Sequence, residues 1–173
     1  MSAFNCQASL VITNQRIFTP DLNEHGTVFG GKILSVVDNS SSVAAMRLTR
    51  QTVVTATLDH IAFRHPFTLT QSMCAESYIT GFGKRSLEVF TKIIGEDLTT
   101  SERFIGFHCF TTFVVPDAHY EIPYSTLVTT TDEQRALSAG YAQRQSQRRM
   151  EREGQQALLQ AIDVDLPWDA KQD

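Results

Sequence analysis

The 173-residue chain has few of the features that mark nucleic-acid-binding, secreted or membrane proteins. Its net charge is −4, whereas general nucleic-acid binding through phosphate contacts requires a basic surface. The 3 cysteines are odd in number and include no CxxC pair, a usage typical of a reducing compartment rather than of a disulfide framework. The opening residues lack the segments of a signal peptide, and no apolar run has the length of a membrane span. The sequence therefore predicts a soluble, cytoplasmic protein with neither nucleic-acid nor membrane partners.

Several catalytic and ligand-binding motifs are absent as well. There is no GxSxG nucleophile elbow, no P-loop and no HExxH zinc motif. His60 and His65 are five residues apart on a predicted strand and would face opposite ways, so they make a poor metal pair. The Gly81–Phe82–Gly83 run lies between predicted strands, which is the wrong context for a dinucleotide fingerprint. We therefore expect no metal and no cofactor.

The pattern of apolar residues predicts one domain of the α+β class. A helix is expected from about Gly30 to Arg47, and a β-bulge is expected near Asp59. The short turns leave no room for crossover helices, so the sheet should be antiparallel and wrap around the single helix. The last strand is apolar or small on both faces, which predicts that a second protomer covers the side that the helix leaves open. Strands are expected at residues 10–18, 52–64, 72–81, 85–96 and 102–115.

The C-terminal part of the chain differs in character from the rest. Residues 118–131 are predicted to form a connector, and residues 132–162 a helix that is interrupted or ends near Gly154. Three arginines, Arg144, Arg148 and Arg152, recur every four residues. This stripe is either a solvated helical face or a contact for the phosphates of a ligand or for an acidic partner. The chain is thus predicted to divide into residues 1–117 and a tail of 118–173, in which Pro167 and Trp168 are candidates for docking on the body.

The stretch from residue 23 to residue 38, NEHGTVFGGKILSVVD, carries the most chemistry. A polar loop passes through Gly30 and Gly31 into the helix, whose first backbone amides have no intrahelical partners and can bind an oxyanion or a polarised carbonyl. Asp38 follows Leu34 by four residues and is expected on or beside the buried stripe. A carboxylate in that place must be paired or used chemically, and Ser42, one turn further on, is a candidate to orient it.

The motifs in this stretch resemble those of a known enzyme family. An Asn, a His-Gly, a Phe-Gly-Gly and an Asp occur in the order and spacing of the single-domain acyl-CoA thioester hydrolases of the hotdog fold. This group includes the bacterial short- and medium-chain enzymes and brain acyl-CoA hydrolase. The resemblance covers about residues 11–117. Its further matches are Val53–Val54–Thr55–Ala56–Thr57, Asp59, Phe63, Pro66, Gly83–Lys84–Arg85–Ser86–Leu87 and Thr112–Phe113–Val114.

The resemblance implies hydrolysis of acyl-CoA to free fatty acid and coenzyme A, which is part of the substrate and no cofactor. Asp38 would be the general base or the nucleophile, and Asn23 would position water or polarise the thioester. The Gly30 or Gly31 amide would complete the oxyanion site. His25 and Thr57 would belong to the same group of oxyanion- and substrate-binding residues.

The resemblance also implies a coenzyme A site and an oligomer. Lys84, Arg85 and Ser86 would lie near the nucleotide end of the ligand, and the extra Lys84 leaves open which cation meets phosphate. The family forms dimers in which Asn23 would serve Asp38 of the partner subunit, commonly assembled further into tetramers or hexamers. A nucleotide regulator is a further candidate partner.

Two rival functions are compatible with the same residues. A hotdog dehydratase normally uses a His-Asp or His-Glu pair, and His25 lies on the loop, although Asn23 with Asp38 fits hydrolysis better. A non-catalytic acyl-CoA or nucleotide sensor would bind without turnover. The acyl chain length is not predicted by the sequence.

Overall fold

In the computed structural model, which describes residues 2–165, the fold is built around a 20-residue helix, α1 (Gly30–Thr49). Its apolar residues recur every three or four positions, so one face of the helix is buried along its whole length. The helix ends at Arg50, whose backbone is left-handed with φ of 52° and whose N–H donates to the Met46 carbonyl at 2.9 Å. The predicted central helix is confirmed, and it extends two residues beyond Arg47.

A five-stranded antiparallel sheet wraps around α1 in the order β2-β4-β5-β6-β3. The predicted α+β class and the sheet around a single central helix are therefore confirmed. All five predicted strands are present, and their bounds differ from the predicted ones by one or two residues. They are β2 (Val11–Arg16), β3 (Val54–Phe63), β4 (Gln71–Phe82), β5 (Ser86–Asp97) and β6 (Arg103–Val114).

The edge strand β3 is irregular at two places. Its register against β6 shifts between Asp59 and Ala62, where His60 has a left-handed backbone with φ of 52°. This confirms the bulge expected near Asp59. A second shift lies between Thr55 and Thr57. Each extra residue changes the face to which the following side chains point, so alternation along β3 cannot be read straight from the sequence.

Between α1 and the sheet, the core consists of two apolar clusters separated by a band of buried hydroxyls. One cluster contains Ile33 and Phe107, and the other contains Leu48 and Phe113. Four of the five hydroxyls between them are satisfied, because Ser40 and Ser41 donate to helix carbonyls and Ser77 pairs with Thr91 at 2.8 Å. The band consists of Ser40, Ser41, Ser77, Thr91 and Thr111.

The outer face of the sheet is covered in part by segments of the chain itself. An aromatic cluster of Tyr78, Phe90 and Phe110 packs with Cys6, and Leu137 of helix α2 (Asp132–Ala139) lies against it. The expectation that a second protomer covers all of this face was therefore too broad. Two short strands that the sequence did not predict, β1 (Ser2–Asn5) and β7 (Tyr124–Val128), pair in parallel.

The chain divides into two compact units, Met1–Ala139 and Gly140–Asp173. The first unit includes β7 and α2, and the predicted division at residue 117 stays a prediction. The second contains helix α3 (Tyr141–Ala161), which carries the three arginines and continues through Gly154. The predicted break near Gly154 is wrong, because the interruption lies at Gly140. No helix among residues 2–165 has the length and apolarity to cross a membrane. The docking predicted for Pro167 and Trp168 lies outside the described residues.

Candidate active site

The start of α1 presents two unbonded backbone amides. The Lys32 and Ile33 N–H groups donate to the Phe29 carbonyl at 2.9 and 3.3 Å, and no side chain caps the helix. Within residues 2–165, neither the Gly30 nor the Gly31 N–H donates to a backbone carbonyl. Because such amides point along the positive end of the helix dipole, they can stabilise negative charge on an oxygen.

The loop before α1 is closed by the side chain of Asn23. Its Oδ1 accepts from the His25 N–H at 3.0 Å and from both the N–H and the hydroxyl of Thr27 at 3.2 Å. The backbone reinforces the closure, since the Asn23 N–H donates to the Thr27 carbonyl at 2.8 Å. Three donors fix which side-chain atom is the oxygen. The Asn23 Nδ2 group has no acceptor within residues 2–165 and remains a donor for a ligand.

A carboxylate ties this loop to the helix. The pKa of Asp21 is held below its ordinary value, first by the Phe18 backbone N–H and also by Lys32, which outweigh the effect of burial. Lys32 Nζ lies 3.3 Å from Asp21 Oδ1, and the Asp21 carbonyl accepts the Phe29 N–H at 3.0 Å. The turn that carries the free amides is therefore held in place by Asp21, which lies two residues before Asn23.

Asp38 lies beside the buried stripe of α1, as expected, and its carboxylate reaches the start of β3. Thr55 donates its hydroxyl to Asp38 Oδ1 at 2.7 Å. Asp38 is exposed in the single chain, so Oδ2 is accessible. Ser42 does not orient this carboxylate, because its hydroxyl donates to the Asn39 carbonyl at 2.8 Å. Thr55 is the residue that the sequence analysis missed, although it belongs to a matched motif.

The other residues of the predicted oxyanion and substrate group are open in the single chain. The His25 side chain is 76% exposed at the loop tip, 3.4 Å from Glu24. Thr57 is an exposed residue of β3 that lies opposite Thr112. The structure brings neither residue into contact with Asp38, and their substrate-binding roles stay predictions.

One chain does not bring the free amides and the carboxylate together. Asp38 follows Gly30 by eight residues in the same helix, a rise of about 12 Å at about 1.5 Å per residue. A carbonyl oxygen at the Gly30 amide is therefore beyond the reach of the Asp38 side chain of the same protomer.

The predicted coenzyme A motif forms the turn between β4 and β5. The Gly83 N–H donates to the Ser86 carbonyl at 2.7 Å and closes the turn. The Lys84 side chain is 87% exposed and 3.6 Å from Glu121, whereas Arg85 Nη1 donates to the Pro116 carbonyl at 3.4 Å. Both cations remain available to an anionic ligand, and the choice between them stays open.

A groove with a volume of about 310 Å³ opens beside the start of α1. Gly30 and Ile33 contribute the helix side, and Phe63 and Phe67 contribute most of the apolar wall. Arg64 and His65 are also among its lining residues.

Within residues 2–165, no three His, Cys, Asp or Glu side chains are grouped closely enough to hold a metal ion.

Comparisons with known proteins identify relatives of this chain. The model of the thioesterase superfamily matches residues 25–102. The uncharacterised acyl-CoA thioester hydrolase YkhA of Bacillus subtilis is 38% identical over 164 residues, which are 94% of this chain and 95% of that protein. The crystal structure of an acyl-CoA hydrolase from Bacillus cereus is 31% identical with a TM-score of 0.86, covering 92% of this chain and 98% of that one. An apo-hexameric acyl-CoA thioesterase is 27% identical with a TM-score of 0.80, covering 87% and 97%.

Proposed function

The chain belongs to the thioesterase superfamily, and on that basis we propose that it hydrolyses acyl-CoA thioesters to free fatty acid and coenzyme A. The observation that carries the proposal is the Asp38 carboxylate, which Thr55 holds by one oxygen at 2.7 Å while the other oxygen stays accessible. An oriented carboxylate of this kind can activate water or attack a carbonyl. The relatives named above as acyl-CoA hydrolases support thioesters as the substrate class.

The active site is proposed to be shared between two protomers. The β3 strand is an edge of the sheet, and none of its 10 residues is buried in the single chain. It exposes Val54, Ile61 and Phe63, and an apolar edge strand of this length is a template for pairing with another chain. Pairing with the same strand of a second copy would extend the sheet across a two-fold axis. The hexameric relative supports an oligomer of this chain.

Such a two-fold pairing would complete the site. Thr55 lies near the start of β3, and Phe63 lies at its end against Gly30. In an antiparallel pair the start of one strand lies beside the end of the other. Asp38 of the partner subunit would therefore approach the free amides of Gly30 and Gly31 and the Asn23 side chain. This arrangement removes the separation of about 12 Å found within one protomer.

The proposed residues supply both halves of thioester hydrolysis. The helix amides and Asn23 Nδ2 donate to the carbonyl oxygen as it gains negative charge. Asp38 either removes a proton from the attacking water or attacks the carbonyl itself to give an acyl anhydride that water then opens. In both routes the C–S bond breaks, coenzyme A leaves as the thiolate and takes up a proton, and the acid is released.

The coenzyme A end of the substrate is proposed to extend across the partner subunit. In the paired sheet, the turn with Lys84 and Arg85 of the partner subunit would lie at the same end as Phe63, because β5 starts beside the start of β3. Across the paired sheet, the distance from Phe63 to that turn is three strand spacings of about 4.8 Å, or about 14 Å. The extended pantetheine arm spans that distance, so the cations can meet the distal phosphates.

The test is thiol release from acetyl- to palmitoyl-CoA by wild-type protein and by Asp38→Ala. We expect turnover by the wild type and a loss of at least about a hundredfold in the variant, because a general base typically contributes 10²- to 10⁴-fold. Asn39→Ala, an exposed neighbour on the same helix, is the matched control and should keep its turnover. Near-normal turnover by Asp38→Ala contradicts its role, and binding of acyl-CoA without any thiol release by the wild type identifies a sensor.

A further inference from the structure

The groove beside the start of α1 is continuous with the proposed oxyanion site. Gly30, whose amide is free, is itself one of the lining residues. The buried part of the lining is apolar, because Val28, Ile33 and Phe67 are core residues, whereas the polar lining residues Arg64 and His65 are exposed. A thioester carbonyl bound at the Gly30 amide would therefore have one of its two substituents directed into an apolar space.

Of these two substituents, the acyl chain suits the groove better than the pantetheine arm does. Pantetheine carries two amides, and burying them against Ile33, Phe63 and Phe67 would leave their polar groups without partners. A hydrocarbon chain carries no polar group and gains free energy from the same burial. The proposed phosphate-binding cations lie in the opposite direction, across the partner subunit. The acyl chain is thus the occupant to which the geometry points.

Phe63 is the adjustable wall of this groove. Its Cε1 lies 3.6 Å from the position that a Cβ on Gly30 would occupy, and its ring meets Phe107 edge-on at a centroid distance of 5.0 Å. Phe63 is 55% exposed, whereas Ile33 and Phe67 are 4% and 1% exposed and belong to the core. The size of the wall can therefore change at Phe63 with a smaller loss of core packing than at Ile33 or Phe67.

We infer that Phe63 sets the longest acyl chain that the enzyme accepts, an inference that rests on the proposed function. The groove of about 310 Å³ is large enough to hold an alkyl chain of several carbons, since one water molecule takes about 30 Å³ of liquid volume. Longer chains would meet the Phe63 ring.

The experiment measures kcat/KM for saturated acyl-CoA from two to sixteen carbons with wild type, Phe63→Ala and Phe63→Trp. We expect Phe63→Ala to move the optimum to longer chains, with a recovery of about fourfold for each methylene that the enlarged groove buries. Phe63→Trp should move the optimum to shorter chains. Ile12→Ala removes a similarly exposed apolar residue from β2, which is outside both the groove lining and the proposed β3 pairing, and its profile should match the wild type. Size measurements on each protein show whether the oligomer is retained.

The possible results separate the inference from the function on which it rests. An active wild type with the same length profile in both Phe63 variants overturns the inference alone, and so does an equal loss at every chain length. A second series uses the same acyl groups on a truncated pantetheine thioester. If Phe63→Ala changes KM for acyl-CoA equally at all lengths and leaves the truncated thioesters unaffected, the groove holds the pantetheine arm and the inference is wrong. A wild type that releases no thiol from any acyl-CoA overturns the proposed function and the inference with it.

Discussion

At the scale of single residues, Asn23 combines a structural and a proposed chemical role in one side chain. Its oxygen closes the loop by accepting from the His25 N–H and from two groups of Thr27, and its Nδ2 group is left to donate to the substrate. The two roles use different atoms of the carboxamide. They can therefore be separated by a substitution that keeps the oxygen and removes the nitrogen.

Asn23→Asp is predicted to keep the loop and lose turnover. An aspartate carboxylate has the same shape and still accepts the three loop hydrogen bonds, so the melting temperature should stay near that of the wild type. Turnover should fall about a hundredfold or more, because the loss of one oxyanion donor costs about 10²- to 10³-fold. Asn23→Ala should lose similar turnover and also about 1 to 2 kcal/mol of stability, since the loop donors lose their acceptor. Thermal unfolding together with thiol release measures both quantities, and an active Asn23→Asp would remove Asn23 as a donor to the thioester.

The positions of the helix glycines relative to Asp38 could be predicted from the sequence, whereas the hydroxyl that contacts Asp38 could not. Gly30, Gly31 and Asp38 are separated by fixed steps along one helix, and helix geometry is regular enough that their relative places follow from spacing. Thr55 and Thr57 lie on a strand that bulges between them. An irregular strand hides which hydroxyl reaches the helix, so the residue that contacts Asp38 became evident only from the structure.

At the scale of elements, α2 is fixed to the outer face of the sheet by a partly buried network of hydrogen bonds and ion pairs. Glu133 accepts from the Tyr78 hydroxyl at 2.7 Å and from Lys92 Nζ at 2.8 Å, and Lys92 also reaches Glu76 at 3.2 Å. Burial raises the pKa of the Glu133 carboxyl, but the hydrogen bonds from Lys92 and Tyr78 outweigh it and leave the pKa below its ordinary value. The network therefore stabilises the fold while Glu133 is ionised.

Glu133→Gln is predicted to destabilise the protein at neutral pH and not in acid. The pKa of Glu133 is lowered from 4.5 in the folded state. The ionised carboxylate therefore contributes its full stabilisation above pH 4.5 and loses it as the pH falls through the lowered pKa. The free energy of unfolding at pH 7 should drop by about 1 kcal/mol, the net value of such a hydrogen bond at a partly exposed site. Denaturant unfolding along a pH series measures it. Glu121→Gln removes the exposed pair with Lys84 and should change little, and a difference between Glu133→Gln and wild type that persists in acid would contradict the assignment.

The elements also differ in how well the sequence predicts them. The five sheet strands and α1 carry long, regular apolar patterns, and their existence was predicted with small errors at the ends. The β1–β7 pair consists of strands of four and five residues joined in parallel across most of the chain. Such short segments hold too little pattern to be recognised, because their pairing depends on distant residues. Two glycines, Gly140 and Gly154, could each interrupt the C-terminal helix. The prediction placed the interruption at Gly154, whereas the structure has it at Gly140.

At the scale of the whole molecule, the proposed site cannot be completed by one chain. The helix amides and Asp38 are about 12 Å apart within a protomer. Of the strands in the five-stranded sheet, β3 is the one without a buried residue. A two-fold pairing of β3 brings each Asp38 to the loop of the other protomer. A chain with a defective loop can therefore be complemented by a chain with a defective carboxylate.

Mixed dimers of Asn23→Ala and Asp38→Ala are accordingly predicted to recover activity. Each variant alone carries one defect in both of its sites, whereas a mixed dimer has one site with both defects and one with neither. When equal amounts are unfolded and refolded together with random pairing, half of the dimers are mixed, so about a quarter of wild-type thiol release should return. Each variant refolded alone is the control. A site built within a single chain predicts no recovery, so a remixed sample that stays at the level of the separate variants, while tagged subunits confirm exchange, would contradict the shared site.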